Sequence, residues 1–157
     1  MMFATESNWR AGLMAYAPIV LWLVVIFFLS SPAGAMPETS RIIGPLLQFF
    51  FPDMPSETRQ IIHGYVRKIA HFTEYAILAF LAVRALSLSS SVFLQKWRYF
   101  LAFVFVAVIA SLDEFNQSFE ASRTGALTDV LLDISGGAAM IAFLWLIKRP
   151  RHIAPSG

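Results

Sequence analysis

The fold class the sequence predicts is an all-α integral membrane protein, a bundle of four transmembrane helices with a short interfacial or re-entrant segment between helices one and two. Three observations predict it. Of 157 residues, 57 % are hydrophobic and only 14 % are charged, where a soluble domain carries about a quarter charged residues. Four stretches approach the ~20 mainly apolar residues that one membrane-crossing helix needs. The ionisable residues inside those stretches gather at one depth, as the helix arithmetic below shows. The mean hydropathy of +0.64 agrees, and the length suits a single domain over residues 1–157.

The first span is GLMAYAPIVLWLVVIFFLSS, residues 12–31. The alternative is a cleaved signal peptide with Ala33-Gly34-Ala35 as its small-residue cleavage site. The apolar run is longer than the h-region of such signals, and its leading end carries Glu6 as well as Arg10, which favours a retained span. The following RIIGPLLQFFFPDMP, residues 41–55, is apolar but too short to cross and is interrupted at Gly44-Pro45, so it reads as interfacial or re-entrant.

The second span runs from about Tyr65 to Leu86. Ser56 is the expected N-cap of its helix, with Glu57 in the first turn, so the helix starts in the headgroup region and runs on into the membrane. The third span is residues 97–119 and the fourth residues 126–148, with a flexible tail at 149–157. Within the fourth, SGGAA at 135–139 suits close helix packing.

With four spans, both termini share a side with the loop between spans two and three. That side holds Arg10, Arg84, Lys96, Arg98, Lys148, Arg149 and Arg151, against Arg41, Arg59, Arg67, Lys68 and Arg123 on the other. The bias places the N- and C-termini in the cytoplasm. A net charge of +2 gives no reason to expect a nucleic-acid partner, and the absence of cysteine excludes disulfides, thiolate nucleophiles and Cys-based metal sites.

Depth follows from the ~1.5 Å rise per residue. Taking Arg84, Arg98 and Lys148 as markers of one interface, Glu74, His71 and Lys68 lie roughly 15, 20 and 24 Å away. Asp113, Glu114 and Gln117 lie roughly 23, 24 and 28 Å from it, and Asp133 and Asp129 roughly 23 and 28 Å. Against a hydrocarbon core of about 30 Å, nearly all fall in its outer third.

Spacing predicts that these groups converge. Lys68, His71 and Glu74 recur every third residue with Tyr75 at their border, Asp113 and Glu114 pair with Gln117 at i, i+4 and i, i+3, and Asp129 pairs with Asp133 at i, i+4. Arg123 hangs over the same place from the connection between spans three and four. Intramembrane ionisable groups are expensive and turn toward the bundle interior or a wet cavity.

Counting Arg67, Lys68 and Arg123 against Glu74, Asp113, Glu114, Asp129 and Asp133 gives three minus five, or −2 with His71 neutral. Such a charge calls for a protonated carboxyl, a charged His71 or a bound cation. An oxygen-rich pocket suits a divalent ion, with Glu114, Asp129, Asp133 and His71 as candidate ligands. The bland alternatives are a hydrogen-bonded His71, an Arg123 that merely pairs with Asp129, and a polar network that only fixes helix packing. His63 and His152 read as surface residues, and the Phe49–Phe51 run and the tryptophans as lipid-facing or interfacial anchors. There is no H-E-x-x-H, no G-x-S-x-G and no Gly-rich phosphate loop. Catalysis, if present, is therefore acid–base or metal-assisted.

K-x-x-H-x-x-E-Y-x-x-L at 68–78, D-E-x-x-Q at 113–117 and R-x-G-x-x-x-D at 123–129, with Ser30-Ser31 closing the first span, together resemble the VanZ-like family over most of the chain. The resemblance implies a small multi-pass protein of the bacterial cytoplasmic membrane, linked through the family's name-giving member to low-level resistance to the lipoglycopeptide teicoplanin. Its polar motif positions fall on Lys68, His71, Glu74, Asp113, Glu114, Gln117, Arg123 and Asp129. Two departures stand out: Asp133 replaces the family's common Asn, and Ala121-Ser122 replaces Pro-Gly before Arg123.

Two functions remain open at this point. In one, His71, Glu74, Asp113 and Glu114 carry acid–base chemistry on a membrane lipid or lipid-linked envelope precursor that Lys68, Tyr75, Gln117, Arg123 and Asp129 bind at the outer face. In the other, the protein is a non-enzymatic binding or partner protein with a structural polar network.

Overall fold

A computed structural model describes residues 3–31, 44–118 and 127–148. Arg123 with Ala121-Ser122 before it, the residues just after the first span, and residues 149–157 with His152 lie outside the described residues. The described residues form helices joined by short turns: α1 (Phe3–Ser30), α2 (44–50), α3 (Ser56–Ser87), α4 (Val92–Lys96), α5 (Arg98–Gln117) and α6 (Leu127–Lys148). Four of these helices are long and apolar enough to cross a membrane: α1 from Gly12, α3, α5 and α6.

α3 is the axis of the bundle. It packs on α1, α5 and α6, whereas α1 touches α3 and α5 but does not pack on α6. With 32 residues it is about 48 Å long, more than the ~30 Å a hydrocarbon core needs. Its cap differs from expectation. Pro55 occupies the N-cap position with φ −56° and ψ 145°, Ser56 is already helical, and no side chain caps the end. Proline suits that place because it has no N–H to leave unsatisfied; its carbonyl accepts from the Arg59 N–H at 3.1 Å. His63, expected at the surface, is buried. It shares a four-residue row with Arg67, His71 and Tyr75, and that row turns inward along α3.

The bundle is small inside and large outside. Ala79, Ala85, Ala102 and Ala110 are fully buried, while Leu21, Phe28, Phe103, Phe143 and Leu146 point outward. This is how membrane helices pack, with small residues letting backbones approach and large apolar ones left to lipid. Gly136 and Gly137 carry the closest approaches. A Cβ on Gly136 would collide with the Phe72 backbone, 2.9 Å from its carbonyl carbon, and one on Gly137 would lie 2.6 Å from Val106 Cγ1. Two glycines in succession thus let α6 press on α3 with one and on α5 with the other.

α1 contains Pro18, which cannot donate to the Met14 carbonyl one turn earlier. Arg84 of α3 does so instead, Nη1 to Met14 O at 3.3 Å. Trp22 Nε1 likewise donates to the Glu74 carbonyl at 2.9 Å, so two side-chain bonds to backbone oxygens tie α1 to α3. At the Arg84 end the core is Ala82, Val83, Ala102 and Leu144. Toward the other end it is Ile26, Tyr75, Leu78, Val106 and Ile109, and beyond them the side chains become polar.

Candidate functional site

The polar end is formed by the C-terminal turns of α1 and α5 and the N-terminal halves of α3 and α6. It has two parts. The first is a closed hub around Asp113, which is fully buried. Its Oδ2 accepts from Ser30 Oγ at 2.8 Å, from Gln117 Nε2 at 3.0 Å and from Tyr75 Oη at 3.2 Å. Donors from α1, α5 and α3 therefore converge on one oxygen. Asp113 and Gln117 face the same way because four residues make just over one turn of α5.

The second part is a cavity of about 150 Å³, comparable to cavities that accept a benzene-sized molecule. Arg67, Lys68 and His71 of α3 line it, together with Glu114 of α5 and Asp129 and Asp133 of α6. Gly64, with no side chain to fill the space, forms part of its wall. Lys68 is exposed, Arg67, His71 and Asp129 are half-buried, and Glu114 and Asp133 are buried. His71 Nδ1 stands 3.5 Å from Asp133 Oδ1. A relay joins the two parts: Arg67 Nη2 donates to Gln117 Oε1 at 3.2 Å, and Gln117 donates on to Asp113.

The residues singled out in the sequence sort cleanly. Lys68, His71, Glu114, Asp129 and Asp133 meet around the cavity, and Tyr75, Asp113 and Gln117 form the hub behind it. Glu74 is half-buried and does not line the cavity, although it, Asp113, Glu114 and Asp129 all lie within electrostatic range of Asp133. The reason is angular. A three-residue spacing falls short of a full turn by roughly 60° per step, so over two steps Lys68 and Glu74 diverge by about 120°. The four-residue row drifts only about 40° per step, and it brings in Arg67, which spacing by threes passed over. Ser30 is the other functional neighbour that periodicity missed, because it sits at the end of a helix with no polar companion at i±3 or i±4.

Among known proteins, the VanZ/LLP1 family model matches residues 14–148, which includes every helix of the polar end. No curated protein and no solved structure matches the chain.

Proposed function

The chain belongs to the VanZ/LLP1 family, and on that premise we propose that this membrane protein holds the polar headgroup of an anionic envelope lipid or lipid-linked wall precursor in the cavity at its polar end. The observation that carries the reading is the pairing of Arg67 and Lys68 on one wall with Glu114 and Asp129 on the other. Two adjacent cations grip anionic oxygens, Arg67 as a planar fork and Lys68 as a flexible point charge. Carboxylates opposite accept from headgroup hydroxyls or amines, and they are the groups placed for proton transfer if the bound molecule is also modified. The small volume suits a headgroup whose acyl chains stay in the bilayer beside the bundle.

The Lys/Arg distribution supports cytoplasmic termini, and with that orientation the cavity would open at the outer face of a bacterial cytoplasmic membrane. A protein that sequesters or alters a wall-precursor headgroup there changes what a lipoglycopeptide meets, so expression in a susceptible host lowers sensitivity to teicoplanin. Arg123, six residues before Asp129 in the sequence and outside the described residues, belongs to this reading as a third cation. A purely structural role is the competing reading, and the three donors gathered on Asp113 Oδ2 favour it for that half of the site alone.

The test is lipid retention. Native mass spectrometry of the full chain, titrated with phosphatidylglycerol and with phosphatidylcholine, should show selective retention of the anionic lipid. Arg67→Ala and Lys68→Ala should each weaken that retention about tenfold, in line with about 1.4 kcal/mol per decade. Equal retention by folded variants would sink the proposal.

A further inference from the structure

His71, Asp113 and Asp133 come from three different helices, yet each offers a ligand atom, and those atoms all lie within 4.8 Å of one another. Both aspartates are at least nine-tenths buried, 0 % and 1 % exposed, and each has an oxygen, Oδ1, with no hydrogen-bond partner among the described residues. Leaving a carboxylate oxygen bare inside a membrane protein is costly, and here both residues that carry one belong to the same three-residue cluster, Asp133 Oδ1 standing 3.5 Å from the His71 imidazole. We propose that these three residues bind a divalent transition-metal ion at the base of the cavity.

The geometry suits one. With metal–ligand bonds of about 2.1 Å, neighbouring donors of a tetrahedron stand roughly 3.4 Å apart. The 3.5 Å between His71 Nδ1 and Asp133 Oδ1 is at the long limit for a hydrogen bond and close to that edge. Asp113 is also held as a ligand should be: Ser30, Tyr75 and Gln117 all occupy Oδ2, which orients the carboxylate and leaves Oδ1 for the ion. One nitrogen and two carboxylate oxygens suit Zn²⁺ or Mn²⁺ better than Mg²⁺ or Ca²⁺, which favour all-oxygen sites. Three protein ligands leave a coordination position open, and since His71 and Asp133 line the cavity, that position faces it.

The charge agrees. Arg67 and Lys68 against Glu114, Asp129, Asp133 and Asp113 gives two minus four, a formal −2 with His71 neutral. A divalent ion cancels this and makes the cavity hospitable to an anion. The site shares residues with the proposed headgroup cavity but does not depend on that proposal, because metal content is read with no lipid present.

The experiment uses the full chain in detergent, its affinity tag removed and the protein stripped with a chelator. It is titrated with Zn²⁺ or Mn²⁺ alone and then analysed for bound metal. One ion per chain is expected. His71→Ala and Asp133→Asn should lower affinity by more than the roughly 10–100-fold typical of removing a group that only orients a ligand, while Asp53→Asn, an exposed acid remote from the site, should bind as wild type does. A second readout covers variants that fold poorly: Co²⁺-loaded wild type should show the intense d–d absorption of a four-coordinate site, reversed by chelator, and Asp113→Asn should lose it while retaining its helical melting transition. Absence of saturable one-to-one binding in folded wild type, or unchanged affinity in both His71→Ala and Asp133→Asn, overturns the proposal.

Discussion

Two buried aspartates at one depth of this bundle have opposite surroundings. Asp113 receives three side-chain donors from three helices on a single oxygen. Asp133, as fully buried, has among the described residues His71 at 3.5 Å and no hydrogen-bond partner on its Oδ1, and it borders the cavity. Residue type, burial and membrane level are the same, so none of these decides the role. What differs is whether neighbouring helices bring donors to the carboxylate or leave it facing space. A buried carboxylate oxygen that collects donors, as Asp113 Oδ2 does, holds helices in place; a bare one, such as Oδ1 of either residue, costs stability and persists where a ligand completes it.

The sharpest way to break this comparison is to remove each carboxylate in turn. Asp113→Ala takes away the acceptor that Ser30, Tyr75 and Gln117 share, and should destabilise the folded bundle by about 3 kcal/mol, from three lost bonds of about 0.6 kcal/mol each plus the cost of leaving the buried Tyr75 and Gln117 donors unsatisfied. Asp133→Asn keeps the shape and relieves a bare carboxylate, so it should change stability by less than about 1 kcal/mol. Reversible unfolding in mixed micelles measures both. Equal losses would mean that the two halves of the polar end do the same job.

Next in size is the packing that sets the open half. Asp133 lies one helical turn before Gly136, and Phe72, whose backbone Gly136 approaches, follows His71 directly. A methyl group on Gly136 must therefore push α6 away from α3 just where His71 and Asp133 face one another. Gly136→Ala should cost about 2 kcal/mol, since backbone cannot yield without moving a helix. Gly137→Ala meets only a Val106 side chain and should cost about 1 kcal/mol. The same unfolding assay ranks them, and Gly136→Ala should also weaken anionic-lipid retention while leaving the Asp113 hub intact. A larger cost at Gly137 would place the tighter constraint on the α5 contact instead.

How far the sequence foretold this arrangement depends on what kind of information each feature needs. The four spans and the shared depth of the polar residues were legible because both follow from counting along single helices. Asp113 with Gln117 and Asp129 with Asp133 were legible as faces, since four-residue spacing survives helical drift. Arg67 enters the charge balance of the sequence but not its site pattern, because K-x-x-H-x-x-E marks a three-residue spacing that rotates Glu74 away. The division between Asp113 and Asp133 was not legible at all. It depends on Ser30 arriving from α1, a helix that reaches the hub only by its last turn, and on Gly64 leaving room beside Arg67. Both are facts about which helix neighbours which, and no one-dimensional period encodes them.

The smallest expected effect tests whether the hub acts as a unit. Ser30→Ala removes one of three donors to Asp113 Oδ2, from a helix that is otherwise peripheral, and Tyr75 and Gln117 still hold the carboxylate. The loss should be about 0.6 kcal/mol, the average found for side-chain hydrogen bonds between membrane helices. The informative measurement is the double mutant. If Ser30 stabilises the fold through Asp113, then Ser30→Ala in the Asp113→Ala background should cost nearly nothing further, giving a coupling energy close to the single-mutant value. Additive losses would show that Ser30 acts through other contacts. The three donors would then be neighbours of Asp113 and not one closed cluster, and its contrast with Asp133 would shrink to a difference in crowding.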